Sequence, residues 1–239
     1  MKLICHMISS VDGRLYPARW GMPQAEVPVT EVYETTAARF NADGWLVGRT
    51  TMADYDDGVR EEAPAALRAA SDPAPEPFVL DRGGRLVALA VDLKGRLHFS
   101  HAVLPTGEQL AVVLSPKVGE AHLAHLREAG ISYVFAGEGG TDAERLGSAL
   151  KAIEAELGVK TLLLEGGGII NGAFLKAGLI DEISVLVYPG LDALHGVSSI
   201  FEAAGASDER PAEHAHLTLI EAKPLEGGVV WLHYAVQND

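Results

Sequence analysis

Thr161-Leu-Leu-Leu-Glu165-Gly-Gly-Gly168-Ile-Ile-Asn171-Gly-Ala-Phe174-Leu-Lys-Ala-Gly178-Leu-Ile-Asp-Glu182 is the stretch that decides the fold. Leu162 to Leu164, behind Thr161, form an apolar run that reads as a buried strand closed by Glu165. Three glycines follow, and a helical pattern then begins with Ile169, Ile170, Ala173 and Phe174 on one side. A strand that breaks into glycines and re-forms as a helix presents backbone N–H groups at a helix N-terminus. Glycine lets a ligand approach that main chain with no Cβ in the way. This is the outline of a phosphate cradle. Glu165 ends the strand where open α/β sheets place ligand-contacting groups.

Spacing alone leaves a second reading open, because strand–glycine–helix junctions also serve tight packing. The frame is not a full G-x-G-x-x-G: Gly166 and Gly168 fit, but Asn171 occupies the last position, and no Gly-Lys-Ser/Thr follows.

Working outward, strands and helices alternate. The sequence predicts strands at 3–8, 45–47, 78–80, 111–114, 131–135 and 183–188. Helices are expected from a Thr30 cap to Phe40, over 64–70, up to Glu128, and from an Asp142 cap to Leu157. Residues 85–100 alternate like a hairpin turning at Lys94-Gly95. Leu217–Ile220 and Val229–Val236 form a terminal antiparallel hairpin on a sheet edge. No repeat or linker divides the chain, so residues 1–239 read as one domain of the α/β class, with a central mostly parallel sheet flanked by helices.

The 239 residues are 48% hydrophobic, enough for a substantial core, yet no apolar run approaches a membrane span. No secretory signal is apparent at Met1-Lys-Leu-Ile-Cys-His6, so a cytoplasmic location is the default expectation. Cys5 is the only cysteine, which rules out an intramolecular disulfide and a thiolate zinc site. A formal net charge of −14 argues against a nucleic-acid partner. Any cofactor phosphate must therefore meet a local device: a helix N-terminus, backbone amides or an arginine.

The words of the sequence go further than their spacing. Leu164-Glu-Gly-Gly-Gly168, Asn171-Gly172, Ala177-Gly-Leu-Ile-Asp-Glu182 and the strand ending at Pro189 resemble the reductase domain of bacterial riboflavin biosynthesis. Ser9-Ser-Val-Asp-Gly-Arg14 is similar to the opening segment of that family, Trp45-Leu-Val-Gly-Arg-Thr-Thr51 to a middle one, and Val79-Leu-Asp81 to a weaker fourth. The matches run in order over nearly the whole chain. The resemblance implies a dihydrofolate-reductase-like three-layer fold, a homodimer, and reduction of a ribosylaminopyrimidine by NADPH, with hydride delivered to the ribose C1′.

By the same resemblance, the cofactor is held by Gly166, Gly167, Gly168, Ile169, Ile170, Asn171 and Gly172, with Gly48, Thr51 and Asp54. Glu165 and Asp12 become catalytic and substrate-facing candidates, with Ser10 beside them. Each has a plainer alternative: Glu165 as a helix cap, Thr51 as a turn cap, Asp54 as a solvated carboxylate, Arg49 as structural, Asp12-Gly13 as turn chemistry. Trp20 is either stacked on a ligand or a core ring. Arg82 stands where the family has a serine. It follows the 78–80 strand on the expected carboxyl-end side and is a candidate grip for the adenosine 2′-phosphate, or an ordinary solvated arginine.

Three departures qualify the resemblance. One cysteine cannot build the zinc deaminase site of bifunctional relatives, so no deaminase domain is expected. Residues 82–105 read long, and 190–196 keep the glycine spacing only roughly. Among nine histidines, His122/His125 and His214/His216 could each form half a metal site, but no third ligand is evident and no metal is expected. A reductase acting on another heterocycle, such as a pterin, and a non-catalytic nucleotide binder remain alternatives.

Overall fold

The computed structural model describes residues 1–21, 27–206 and 208–239. Strand β1 (Lys2–Ser10) opens the chain, followed by helix α1 (Val29–Ala37) and a 3-10 turn at Ala38–Phe40. Next come β2 (Gly44–Gly48), α2 (Arg49–Tyr55), β3 (Val59–Glu61), β4 (Val87–Val91), β5 (Leu97–Phe99) and β6 (Gln109–Leu114). Then α3 (Glu120–Glu128), β7 (Ser132–Phe135), α4 (Asp142–Leu157), β8 (Thr161–Leu164), α5 (Gly168–Lys176) and β9 (Glu182–Tyr188) lead to β10 (Ala215–Pro224) and β11 (Val230–Asn238). No helix among the described residues is long and apolar enough to cross a membrane.

These elements group into two compact units interleaved in sequence: Met1 with 43–162, and 2–42 with 163–239. Strand β8 gives Thr161 and Leu162 to the first unit and Leu163 and Leu164 to the second.

In the first unit β2, β4, β6 and β7 lie side by side, every pair parallel. Parallel strands covered on both faces must be apolar throughout, and Leu46, Leu89 and Val112 are fully buried. Leu146, Ala149, Ile153 and Leu157 make the inward stripe of α4 at helical spacing. Thr141 and Glu144 start that helix with a reciprocal capping box. In the second unit β1 and β9 pair in parallel from Ile4↔Glu182 to Ser10↔Tyr188. β11 lies antiparallel on the other side of β9, with β10 outside it. Trp20, Leu186, Tyr188, Val229 and Trp231 pack together over this sheet.

The α/β class, the mostly parallel pairing and the C-terminal antiparallel hairpin are as the sequence predicts. Several elements differ. Helix α1 begins at Val29, after Pro28, so Thr30 lies inside the first turn rather than capping it. Thr141, not Asp142, caps α4. Residues 64–70 form no helix, because their backbone bonds elsewhere: Ala65 N–H to the Lys94 carbonyl, Arg68 N–H to Lys117. Helix α2 and strand β3 carry too few residues for a periodic signal.

The expected 78–80 strand shrinks to one antiparallel bridge, Phe78↔Tyr133. The 85–100 hairpin is not formed. A turn does occur at Gly95 (φ 60°), but β4 enters the parallel sheet while β5 pairs with β3. Alternation cannot distinguish two strands paired with each other from two strands paired elsewhere. Val229–Val236 is interior rather than an edge, since β9 and β10 flank it.

Candidate active site

Strands β1 and β9 of the second unit end together at Ser10 and Tyr188, the end where parallel sheets bind ligands. Beyond Ser10 the chain turns sharply: Gly13 (φ 77°) donates to the Ser10 carbonyl, and the Arg14 N–H to the Ser10 hydroxyl. Ser10 in turn donates to Asp12 Oδ1 at 2.7 Å. Asp12 also accepts the backbone N–H of Asp192 and, at 2.8 Å, of Ala193. The Ser10 hydrogen bond and then these amides lower its carboxyl to about 2. Asp12 is therefore a fixed anion that ties loop 190–196 to the first loop. Trp20 is a core ring, 5.4 Å from Tyr188, which is the plainer of its two readings.

The junction after β8 is built tightly. Gly166 is buried at φ 98°, a region that favours glycine, and a Cβ there would stand 3.1 Å from Met7. The Gly166–Gly167 peptide is cis. Gly167 caps α5, whose first turn is closed by the Ile170 and Asn171 N–H groups on the Gly167 carbonyl. Among the described residues no acceptor meets the N–H of Gly168 or Ile169, as expected of a first helical turn. The Ile169 side chain is 76% exposed.

Gly168 and Gly172 have a different reason to be glycine. A Cβ on Gly168 would lie 2.3 Å from the Ser199 carbonyl oxygen, and one on Gly172 2.0 Å from that of Glu202. Segment 199–202 packs on this face of α5. Glu202 N–H donates to the Gly168 carbonyl, and Asn171 Nδ2 donates to Ile200 at 2.9 Å. Gly168 and Gly172 through their Cα faces, and Asn171 through its side chain, thus pack against segment 199–202. Segment 199–202 was not legible in the sequence, having no periodic pattern.

Glu165 follows β8, half-buried, and its charge acts on the buried Tyr33 phenol. Burial first, then Glu165, pushes the Tyr33 phenol well above its ordinary range. Burial and the same carboxylate also push the Cys5 thiol up, so it stays protonated. Behind Tyr33 lies a polar chain that the sequence reading missed: Tyr33 O–H to the His6 carbonyl at 2.9 Å, His6 Nδ1 to Ser184 Oγ at 2.9 Å, and Trp231 Nε1 to Ser184 Oγ at 2.8 Å. Burial lowers His6 to about 4, so the ring is neutral. Its only sequence signal is a histidine and a serine inside otherwise apolar strands.

Gly48, Thr51 and Asp54 belong to the first unit. Gly48 caps α2 at the carboxyl end of β2; Thr51 is half-buried in the first turn and Asp54 is exposed. Arg49 is structural, paired with Glu61, which Arg96 also meets at 3.4 Å. Arg82 is placed otherwise than expected. It donates to the carbonyls of Asp43, Arg85 and, at 3.0 Å, Leu157 at the end of α4. Asp43 precedes β2, so Arg82 lines a cleft of about 450 Å³ at the amino ends of β2 and β4. That is the opposite end of a parallel sheet from the one that takes ligands.

His98 joins His122 and His125, with ring centroids 5.3 and 4.6 Å away, a third histidine the spacing did not reveal. Among the described residues no group of three acidic, histidine or cysteine side chains is arranged to hold a metal. His214 and His216 separate, one to the Leu175 carbonyl and the other to Asp239.

The chain matches the family described as the RibD C-terminal domain over residues 1–230. The chain belongs to the RibD C-terminal domain family. Its fold is shared with a pyrimidine reductase-like protein of Corynebacterium diphtheriae, at 18% identity and TM-score 0.67, covering 100% of this chain and 92% of that one. The riboflavin biosynthesis reductase Rib7 of Saccharomyces cerevisiae matches at 15% identity and TM-score 0.59, covering 99% and 90%. Acinetobacter baumannii RibD matches at 19% and TM-score 0.57, covering 99% of this chain and 58% of its own.

Proposed function

We propose that this member of the RibD C-terminal domain family is an NADPH-dependent reductase that opens the ribose of a ribosylaminopyrimidine to a ribityl chain. The observation that carries the reading is Glu165 at the end of β8, directly followed by the open first turn of α5. The Gly168 and Ile169 N–H groups suit a pyrophosphate, because they and the helix dipole favour an anion. Gly167, with φ −72° and no side chain, keeps that approach clear. NADPH supplies the hydride to the sugar C1′. Glu165 accepts hydrogen bonds from substrate donors and holds or yields a proton, while Asp12 fixes the loop beside the strand ends. Gly48 and Thr51 are further cofactor candidates at the carboxyl end of β2. Asp54, exposed on the same helix, is a weaker one. Arg82 is not included, because its donors already meet three carbonyls.

Stopped-flow measurement of NADPH oxidation with the ribosylaminopyrimidine, run beside a pterin panel, tests the proposal. Oxidation with the ribosylaminopyrimidine alone, together with rescue of a riboflavin-requiring strain, is the expected result. Oxidation with a pterin only would move the chain to another heterocycle, and no NADPH binding would remove the reductase reading.

A further inference from the structure

We propose that Arg19 is a positioning residue for the substrate end of the site, where its ion pair with Asp192 holds loop 190–196 against Asp12; the proposal rests on Asp12 and Glu165 as the substrate-facing carboxylates. Residues 190–196 form no helix or strand, yet Gly190 to Leu194 are each tied. The Gly190 and Leu191 carbonyls accept the N–H groups of Val11 at 2.9 Å and Gly21 at 3.0 Å. Asp192 and Ala193 give their own N–H groups to Asp12 at 3.2 and 2.8 Å. Arg19 then donates to both carboxylate oxygens of Asp192, from Nε at 2.7 Å and from Nη2 at 3.0 Å. That is the planar fork of a guanidinium, which lysine cannot copy. Asp192 Oδ1 also accepts the Leu194 N–H at 3.2 Å. Arg19 is itself anchored, because it ends a 3-10 turn at Pro17–Arg19 whose next residue, Trp20, is the core ring beside Tyr188.

These ties do not serve a core. Leu191 and Leu194 are 59% and 52% exposed, so little apolar burial holds the loop. Ala193 stands at φ 63°, a left-handed conformation that a residue with a Cβ keeps only where its surroundings impose it. Charge is what the clamp balances. Asp12 and Asp192 are two carboxylates joined through one backbone N–H, and Asp12 opposes the ionisation of Asp192. The Arg19 hydrogen bond outweighs that opposition and holds Asp192 below the usual carboxylate range. Arg14 faces Asp12 from 4.0 Å, so each anion has one cation. With Arg19 removed, the two carboxylates repel with no fork to oppose them, and a loop without a core draws back from Asp12. With Arg19 in place, the substrate end of β1 and β9 has a wall of fixed shape.

Arg19→Ala removes the fork and leaves Asp12, Asp192 and Trp20 in the chain. The first readout needs no turnover: hydrogen exchange of the Ala193 and Leu194 amides in the free protein. Both should exchange about tenfold faster or more, as a locally released segment does, while the amides of β9 keep their rates. Unchanged rates at Ala193 and Leu194 would overturn the proposal. The second readout is steady-state NADPH oxidation, where KM for the ribosylaminopyrimidine should rise about tenfold while KM for NADPH stays level, as loss of positioning on one substrate requires. A level KM for the ribosylaminopyrimidine overturns the proposal, and so do equal rises for both substrates, which a merely structural role would give. Asp192→Asn added to Arg19→Ala should raise that KM no further, because the two side chains act as one pair; additive effects would overturn it as well. If Arg19→Ala fails to fold, Arg19→Lys keeps the charge without the fork, and wild-type exchange and KM in that variant overturn the proposal. A wild-type protein that leaves NADPH unoxidised defeats the functional reading alone, because the exchange rates still decide whether Arg19 holds the loop.

Discussion

Single glycines in one motif answer to different forces, and substitution should separate them. Gly168→Ala and Gly172→Ala place a Cβ against the carbonyl oxygens of Ser199 and Glu202, contacts that backbone must move to relieve. Each should cost about 1–3 kcal/mol of stability, as overpacking does, read from urea unfolding. Unchanged midpoints would show that segment 199–202 does not press on α5. Gly167→Val differs, because φ −72° is open to any residue. It should weaken NADPH binding several-fold by calorimetry, and unchanged affinity would take Gly167 out of the site. For Arg82→Ala the expected loss is about 1–3 kcal/mol of stability, from its bonds to three carbonyls. NADPH and NADH should then bind the variant equally well relative to wild type; a loss confined to NADPH would restore Arg82 to the 2′-phosphate.

At the scale of elements, buried imidazoles couple strands and helices to pH. His6 on β1 protonates only near pH 4 because it is buried. His122 and His125 on α3 are lowered by burial first, then by His98, and their Nε2 atoms have no hydrogen-bond partner among the described residues. In the unfolded chain all three bind protons near pH 6.5, so below that value the unfolded state holds more protons and is favoured. Their stabilisation is complete above about pH 6.5 and is lost as pH falls. His6 alone approaches a loss of about 3 kcal/mol near pH 4. Carboxylates such as Asp12, lowered to about 2, release theirs at more acid pH. The urea midpoint should stay level from pH 8 to 7 and fall between 6.5 and 4.5; a level profile down to 4.5 would contradict the assignment.

For the whole molecule, the exposed strand β10 bears on association. Among the described residues of the second unit, no strand pairs with the outer side of β10, and Leu217, Leu219 and Ile220 on it are each more than half exposed. Hydrophobic edge strands pair with further strands unless they are covered. A two-fold dimer through β10, rather than through β9 or β11, is the expected state. Light scattering should give twice the 25.3 kDa chain mass at micromolar concentration. Leu219→Lys should return a monomer mass, and a wild-type monomer would refute the dimer outright.

Much of this was legible in the residues themselves. The run from Thr161 to Glu182 determined a strand, a glycine junction and a helix, because apolar runs, missing Cβ atoms and helical periodicity are local properties. The strands expected at 45–47 and 111–114 were equally plain and lie within β2 and β6. What pairs with what was not local. Residues 85–100 alternate as a hairpin would, yet β4 and β5 join different sheets, since alternation records burial and not partner. Arg82 has the charge to grip phosphate, and only the tertiary structure put three carbonyls around it. The same holds at the site. Glycines 168 and 172 were readable as close approaches, but the approaching group is segment 199–202. Tyr33 beside Glu165 joins positions more than a hundred residues apart, a proximity created by packing α1 onto β1, which no local pattern of either segment encodes.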